Sequence, residues 1–464
     1  MHFKITPLRR TYKMKLNKLK VTGFFVITLF TAGLLLTACN SSKEQEAPLA
    51  EGQEEEAAFP FESRFTVEIG DTAFTQKPAA EEEEETGPQP NWKEVPALKD
   101  AFKDYFDYFG FAVPENQLST DSIMQGISYQ ASSFTCENEC KPDFIFNWAK
   151  PAKFVDFQAE DGKTYKVPSG LSGFSRLDKI LGIAKKYGMT MRGHVLVWHS
   201  QTPSWFFKED YDANGAQVDK ATMTARQEWY IKSVLEFVKD WEEKNNDDKR
   251  IITTWDVVNE ACTDSNWTDN PLRTASPWYA IYGDDTFIVN AFRFANKYAP
   301  AQVKLAYNDY SSYAPAKTRA ICRIVQDIQA DPDARIDIVG MQSHVSMTYP
   351  AVADYEKAVK QFLALGVDVQ VTEMEIAFGG RLTSQKELAQ RYAQYFELFL
   401  RNRKLPGKNG ICGITLWGTR DEVSWVRNNS DAMNKTQRPL LFEKDYECKP
   451  AFFSVLETAQ GYSE

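Results

Sequence analysis

From residue 95 onward, short apolar or β-branched runs alternate with longer stretches whose apolar positions recur at helical spacing. Runs at 125–129, 134–137, 190–197, 253–258, 304–307, 338–342, 368–372 and 413–416 predict strands. Helical periodicity predicts helices over 97–109, 175–187, 221–244, 285–297, 314–330, 355–365 and 384–402. Eight strands separated by helices across 95–460 fit an α/β fold of the (β/α)8 TIM-barrel type, which needs about 250 residues and tolerates insertions. The alternative is an open doubly wound sheet. It demands a glycine-rich phosphate turn after an early strand, and the chain has none there.

Seven of the eight runs end in, or lead straight into, side chains that are costly to bury. These are Glu137-Asn138, His194 with Trp198-His199, Asn259-Glu260, Asn308-Asp309, Gln342 with His344, Glu373 with Glu375, and Trp417. Barrel chemistry sits on the loops at the C-terminal strand ends, so these residues are expected to converge on one mouth.

The chain ahead of 95 reads differently. Residues 1–38 hold seven Lys/Arg and no acid, and the apolar run 21–38 ends in Leu36-Thr37-Ala38-Cys39. Basic, apolar and small-residue regions in that order predict a secretory signal over 1–38. A cysteine directly after small residues resembles the lipobox of bacterial lipoproteins, so Cys39 is the expected lipidation site. An uncleaved membrane anchor is the alternative, because a run of this length is near the lower limit for a span. Met14 would serve equally as the start, since 14–20 supplies enough basic residues. Residues 39–94 carry Glu54-Glu55-Glu56 and an unbroken glutamate run over 81–85, and are expected to form an acidic flexible linker. Within it only 65–69 has strand character. The expectation is an exported chain, lipid-anchored to the bacterial cell envelope, with the outer membrane as its site.

Composition narrows the classes further. Hydrophobic residues at 43% and charged residues at 25% fit a globular chain, and neither general disorder nor a multi-span membrane protein. The net charge of −10 becomes more negative without the basic leader, which makes the chain a poor nucleic-acid binder. Aromatics are abundant at 13%, which suits a large core or a surface that stacks on sugars. Besides Cys39, the cysteines Cys136, Cys140, Cys262, Cys322, Cys412 and Cys448 contain no CxxC pair, which argues against a zinc site. Export permits disulfides, but spacing assigns none, and buried free thiols are an equal reading.

Two carboxylates stand out, Glu260 after Trp255-Asp256-Val257-Val258-Asn259 and Glu373 after Val369-Gln370-Val371-Thr372. Cleaving a sugar acetal takes one acid to protonate the leaving oxygen and a second carboxylate on the opposite face of the ring. Either glutamate alone reads as a strand-end cap of the next helix. Flanking Asn, His, Gln and Trp tip the pair toward chemistry. The rival is a metal site built on His194, His199 and His344, but no HxH pair is present and Gln342 is a poor ligand. No metal and no cofactor are expected. Trp198, Trp417, Trp425, Tyr307 and Tyr310 accompany the polar ends as candidate sugar platforms, whereas Trp255, early in its strand, reads equally as core.

Several separated blocks resemble family 10 glycoside hydrolases, the retaining endo-β-1,4-xylanases, over about 95–460. The blocks are Glu137-Asn138-Glu139-Cys140-Lys141-Pro142, the stretch from Gly193-His194 through Trp198-His199-Ser200-Gln201-Thr202-Pro203, and Trp255 to Glu260. Tyr307-Asn308-Asp309-Tyr310, Gln342-Ser343-His344, Val371-Thr372-Glu373, and Trp417-Gly418 through Asp421 to Ser424-Trp425 complete the set. The resemblance implies that Glu260 is the acid/base and Glu373 the nucleophile of a double displacement on xylan. Asn259 would bond the 2-hydroxyl at the cleavage point and His344 would orient Glu373. Glu137, Asn138, Lys141, His194, Trp198, Gln201 and Gln342 would line the non-reducing side, with Trp417 and Trp425 as floor and roof. It implies xylan or xylo-oligosaccharides as partner, and a monomer that meets the membrane only through its lipid. There are departures. Cys140 stands where the family usually has Met, Glu375 where it usually has Asp, the 126–129 block matches poorly, and 147–170 is extended by a hairpin-like segment. Cleavage of other β-glucans, and a glycan-binding lipoprotein without catalysis, are the competing readings.

Overall fold

The computed structural model describes residues 89–247, 249–263, 272–378, 383–428 and 435–462. The expected signal over 1–38, Cys39, the strand-like patch at 65–69 and the expected linker up to residue 88 lie outside the described residues. Among the described residues the strands in chain order are β1 (Tyr108–Val113), β2 (Ser133–Cys136), β3 (Phe154–Gln158), β4 (Thr164–Pro168), β5 (Thr190–Trp198) and β6 (Ile252–Asn259). They continue with β7 (Lys304–Asp309), β8 (Ile338–Met341), β9 (His344–Ser346), β10 (Asp368–Ala377) and β11 (Ile411–Leu416). Eight of these, β1, β2, β5, β6, β7, β8, β10 and β11, pair in parallel in that order. β11 then pairs back onto β1, so these eight strands close into a barrel.

Strands buried on both faces read as near-continuous apolar runs, and this explains the one misplaced strand. The first barrel strand is β1, buried at every position, and not 125–129. The helix expected over 97–109 stops at Phe102. Leu98, Phe102, Phe106 and Phe109 are all buried, so helical spacing continues by coincidence across the turn into β1. Residues 125–129 lie inside the helix Asp121–Gln130, where Met124 and Ile127, three apart, face the core. Gly126 lets that helix sit against the Trp92 ring, since a Cβ there would lie 2.1 Å from it. The other seven strands and six helices fall where the pattern predicts, with ends shifted by a few residues. Ser384 and Glu387 form a capping box that starts the helix Gln385–Arg401, each satisfying the other's backbone N–H.

Packing begins inside the segment expected to be a linker. Asn91 bridges to Glu447, and the buried Trp92 ring stacks on Tyr446 with centroids 3.8 Å apart. The extension after β2 is the antiparallel hairpin β3–β4. Its ties run to the barrel's outer helices. The Glu160 backbone N–H donates to buried Glu228 (2.8 Å), the Glu160 carboxylate pairs with Arg293 (3.0 Å), and Lys232 lies over the Phe157 ring.

Candidate active site

The barrel floor is polar and fully buried. Arg192 on β5 forms a two-pronged pair with Asp256, its neighbour on β6, and donates to Gln370 of β10 (2.8 Å). Asp256 also bonds His194 Nδ1 at 2.9 Å, as the register His194↔Asp256 requires. Burial drives the Asp256 carboxyl upward, but the Arg192 charge and the His194 bond outweigh it and hold it below the usual range. The floor thereby sets the orientation of His194 from below.

Above it, β10 pairs with β8 through Val371 and with β9 from Glu375 onward, and its register against β11 shifts between Val371 and Met374. Glu373 emerges in that irregular step. Its Oε1 accepts from Asn308 Nδ2 (2.9 Å), and its Oε2 lies 3.0 Å from His344 Nε2. Thr372 Oγ1 donates to Asn308 Oδ1 (2.7 Å), and Gly340 leaves room for that amide, because a Cβ there would lie 2.5 Å from it. His344 Nδ1 meets Glu375 Oε1 at 2.8 Å, and Ser424 Oγ donates to Glu375 Oε2. Flanked by two carboxylates, the imidazole serves both best as a doubly protonated donor. Burial opposes its charge, but the bonds and charges of Glu373 and Glu375 push its pKa up to about 10. For Glu373, burial acts upward, and His344, the nearby His194 and Asn308 bring it below the ordinary carboxylate range.

Glu260 stands where β6 ends. Its backbone is in the left-handed region (φ 54°), and its N–H donates to the Asn308 carbonyl. Trp198 Nε1 donates to Oε2 and Gln342 Nε2 to Oε1, both at 3.0 Å. The same Gln342 amide reaches Asn259 Oδ1 (3.2 Å), which also accepts from Asn308 Nδ2 (3.0 Å). One chain of amides thus connects the two carboxyl groups, Glu260–Gln342–Asn259–Asn308–Glu373. To one side, Lys141 Nζ donates to Gln201 Oε1 (2.9 Å) and Asn138 Oδ1 (3.2 Å) and lies over the Trp198 ring at 4.9 Å. Half-buried Glu137 beside them is pushed up to about 7 by burial and by Glu139, with Lys141 acting against this. Trp417 presents its ring edge-on to His194 and His344. Trp425, 59% exposed, lies 6.0 Å from the His344 ring. Among the described residues no group of three or more His, Cys, Asp or Glu is arranged to hold a metal ion.

The family model of glycosyl hydrolase family 10 matches residues 97–458. The chain belongs to glycosyl hydrolase family 10. It is 37% identical over 366 residues to a bifunctional endo-1,4-β-xylanase of Ruminococcus flavefaciens, covering 78% of this chain and 34% of the relative. To an endo-1,4-β-xylanase of Butyrivibrio fibrisolvens it is 35% identical over 365 residues, covering 78% and 53%. The chain therefore spans about a third to a half of the length of these relatives. In fold it is similar to a Clostridium thermocellum endo-1,4-β-D-xylanase solved with xylohexaose (TM-score 0.65, 30% identity, 80% of this chain and 69% of that one). It is likewise similar to the endo-1,4-β-xylanase of Caldicellulosiruptor owensensis (TM-score 0.62, 29% identity, 78% and 99%).

Within this family 10 barrel the structure brings Trp198, Asn259, Glu260, Gln342, His344 and Glu373 into one hydrogen-bonded group with Asn308. Glu137, Asn138, Lys141 and Gln201 adjoin it through Trp198, and His194 meets Trp417. Two aromatic candidates leave the site. Trp255 is core, and Tyr307 is wholly buried with its hydroxyl donating to Asp309, so it offers no face to a sugar. His199 does not share the His194 network. It lies beyond β5, where burial and the Arg273 charge lower its pKa to about 4. The residues that sequence reasoning left unassigned are the supports, namely Asn308, Glu375, Arg192, Asp256 and Gln370. Their signal was available as polar or charged positions inside otherwise apolar strand runs.

Proposed function

We propose that this chain is a retaining endo-1,4-β-xylanase in which Glu260 is the acid/base and Glu373 the nucleophile. The observation that carries the reading is the amide chain from Glu260 to Glu373, which supports two carboxyl groups working in one cleft. Glu373, kept ionised by its donors, attacks the anomeric carbon while Glu260 gives its proton to the departing oxygen. A covalent glycosyl-enzyme forms and the Glu373 charge disappears. Glu260 then takes a proton from water, which releases the sugar with retained configuration. Asn308 and His344 each hold one Glu373 oxygen, so the nucleophile meets the substrate in a fixed orientation. In this reading Asn259 bonds the sugar 2-hydroxyl. Glu137, Asn138, Lys141, His194, Trp198, Gln201 and Gln342 line the non-reducing side, and Trp417 and Trp425 form floor and roof. Xylan is favoured as substrate because the similar proteins are named endo-1,4-β-xylanases and one was solved with xylohexaose.

The test compares reducing sugar released from xylan and from mixed-linkage β-glucan, then repeats the xylan assay with Glu373→Ala. Xylan should be preferred. The variant should lose several orders of magnitude in kcat, and azide should restore turnover as an α-glycosyl azide. Wild-type turnover in Glu373→Ala, or a β-configured azide product, would overturn the assignment.

In the cell, the reading is an exported monomer anchored to the envelope through a lipid on Cys39, with residues 40–90 as a tether. It rests on the leader pattern and the acidic composition of that segment.

A further inference from the structure

Arg273 stands just past Leu272, whose backbone bridges to Cys262, two residues beyond Glu260. Its bonds gather three successive carbonyls. The Nε–H donates to the carbonyl of Glu260 (3.0 Å), the backbone N–H to that of Ala261 (2.8 Å), and Nη2 to that of Cys262 (2.9 Å). Nη2 also donates to the Tyr310 hydroxyl (3.0 Å). Tyr310 is itself fixed. Its N–H donates to Asp309 (2.9 Å), and its ring lies 3.3 Å from the ammonium of buried Lys317, which pairs with Asp309 at 2.8 Å. One guanidinium therefore ties the chain leaving β6 to the chain leaving β7.

Glu260 is the residue that needs such a tie. Its φ of 54° lies in the left-handed region, which a residue with a Cβ rarely occupies. A conformation of this kind persists only where the surroundings fix it. On the amino side the Glu260 N–H donates to the Asn308 carbonyl (2.9 Å), and on the carbonyl side the donor is Arg273. The side chain depends on that setting. Its oxygens meet Trp198 Nε1 and Gln342 Nε2, both at 3.0 Å, at the end of β5 and just past β8. Relaxing the Glu260 backbone toward an ordinary conformation would swing the carboxyl away from these donors.

We propose that Arg273 is a positioning residue for the acid/base. By holding the carbonyls of Glu260 and Cys262 it keeps the left-handed turn, and with it the place from which Glu260 hands its proton to the departing oxygen. This role presupposes Glu260 as the acid/base. Arg273 itself touches no sugar and exchanges no proton in it. The planar fork suits the task, because Nε and Nη2 lie along one edge and reach two carbonyls at once, as a lysine ammonium does not.

The test uses two substrates that differ only in the leaving group, phenyl and dinitrophenyl β-xylobioside. Phenolate departs slowly unless it is protonated, whereas dinitrophenolate is stable enough to leave without a proton. For both, kcat/KM follows the bond-breaking step. Arg273→Met keeps the bulk of the side chain and removes its donors. It should lose about 100-fold in kcat/KM on the phenyl substrate and less than about threefold on the dinitrophenyl one, as expected of a displaced general acid. A side chain that merely stabilised the barrel would lower both alike. A ratio of the two kcat/KM values unchanged from the wild type would therefore overturn the proposal, whatever the absolute loss. Should Arg273→Met not fold, Arg273→Lys, with the charge kept and the fork lost, decides on the same ratio. Glu260→Ala in the same assay separates the two failures. If it too leaves the ratio unchanged, the acid/base reading has failed. If it shifts the ratio and the Arg273 variant does not, only the role of Arg273 falls.

Discussion

His344 shows how one side chain couples the chemistry of the site to its stability. Its ring donates to Glu373 on one side and Glu375 on the other, and its pKa is pushed from the ordinary 6.5 to about 10. The folded state therefore holds a proton between those values that the unfolded chain releases. Stability from this group is complete below about pH 6.5 and is lost as pH rises through about 10. Glu373 has the opposite sign. Its pKa is lowered, so its contribution is present above about pH 4.5 and is lost as pH falls through the folded value. The two together predict maximal stability between about pH 4.5 and 6.5 from this triad. Urea unfolding at pH 6 and pH 9 should show the wild type weakening with rising pH, and His344→Gln should lack most of that slope. An equally steep fall in the variant would assign the loss elsewhere. At this scale the sequence was informative about identity. Gln342-x-His344 and Glu373-x-Glu375 were visible as polar interruptions, but nothing in the spacing said that the second glutamate holds the histidine from behind.

Elements matter through register. Parallel pairing sets Arg192, His194 and Asp256 side by side on β5 and β6, and closure of the barrel brings Gln370 of β10 to the same guanidinium. A buried ion pair of this kind contributes little relative to a well-packed apolar substitute, but removing one partner leaves an uncompensated charge. Arg192→Ala is therefore expected to cost about 3–5 kcal/mol in urea unfolding, by stranding Asp256. Changes within about 1 kcal/mol would mean that water or rearrangement takes over the Asp256 oxygens. Element existence was legible for seven of the eight barrel strands, because short β-branched runs alternate with amphipathic stretches. β1 was not. Its aromatic residues continue the spacing of the helix before it, and only barrel closure decides that they lie in a strand between β11 and β2. The extension at 147–170 was seen as a hairpin, but its attachment to the helices Lys220–Asn245 and Thr286–Tyr298, through Glu228 and Arg293, required the fold.

For the whole molecule the proposed anchor makes a direct prediction. Cys39→Ala in the full chain should move the protein from the membrane fraction to the soluble fraction, with xylan hydrolysis per molecule unchanged. Equal membrane retention in the variant would favour an uncleaved span over a lipid. Local pattern alone determined the alternation of elements over seven of the eight barrel strands and the polar character of the strand ends, and it singled out Glu260 and Glu373 as candidates, because burial on a fixed side-chain period leaves its mark on most windows of the chain. Tertiary structure decided which of those residues meet. Asn308 joins Asn259 to Glu373, Glu375 backs His344, and Arg192 reaches Gln370, each across many residues of sequence. Such pairings arise from strand order, register shifts and closure of the sheet, and these are properties of the assembled barrel that no single stretch of chain contains.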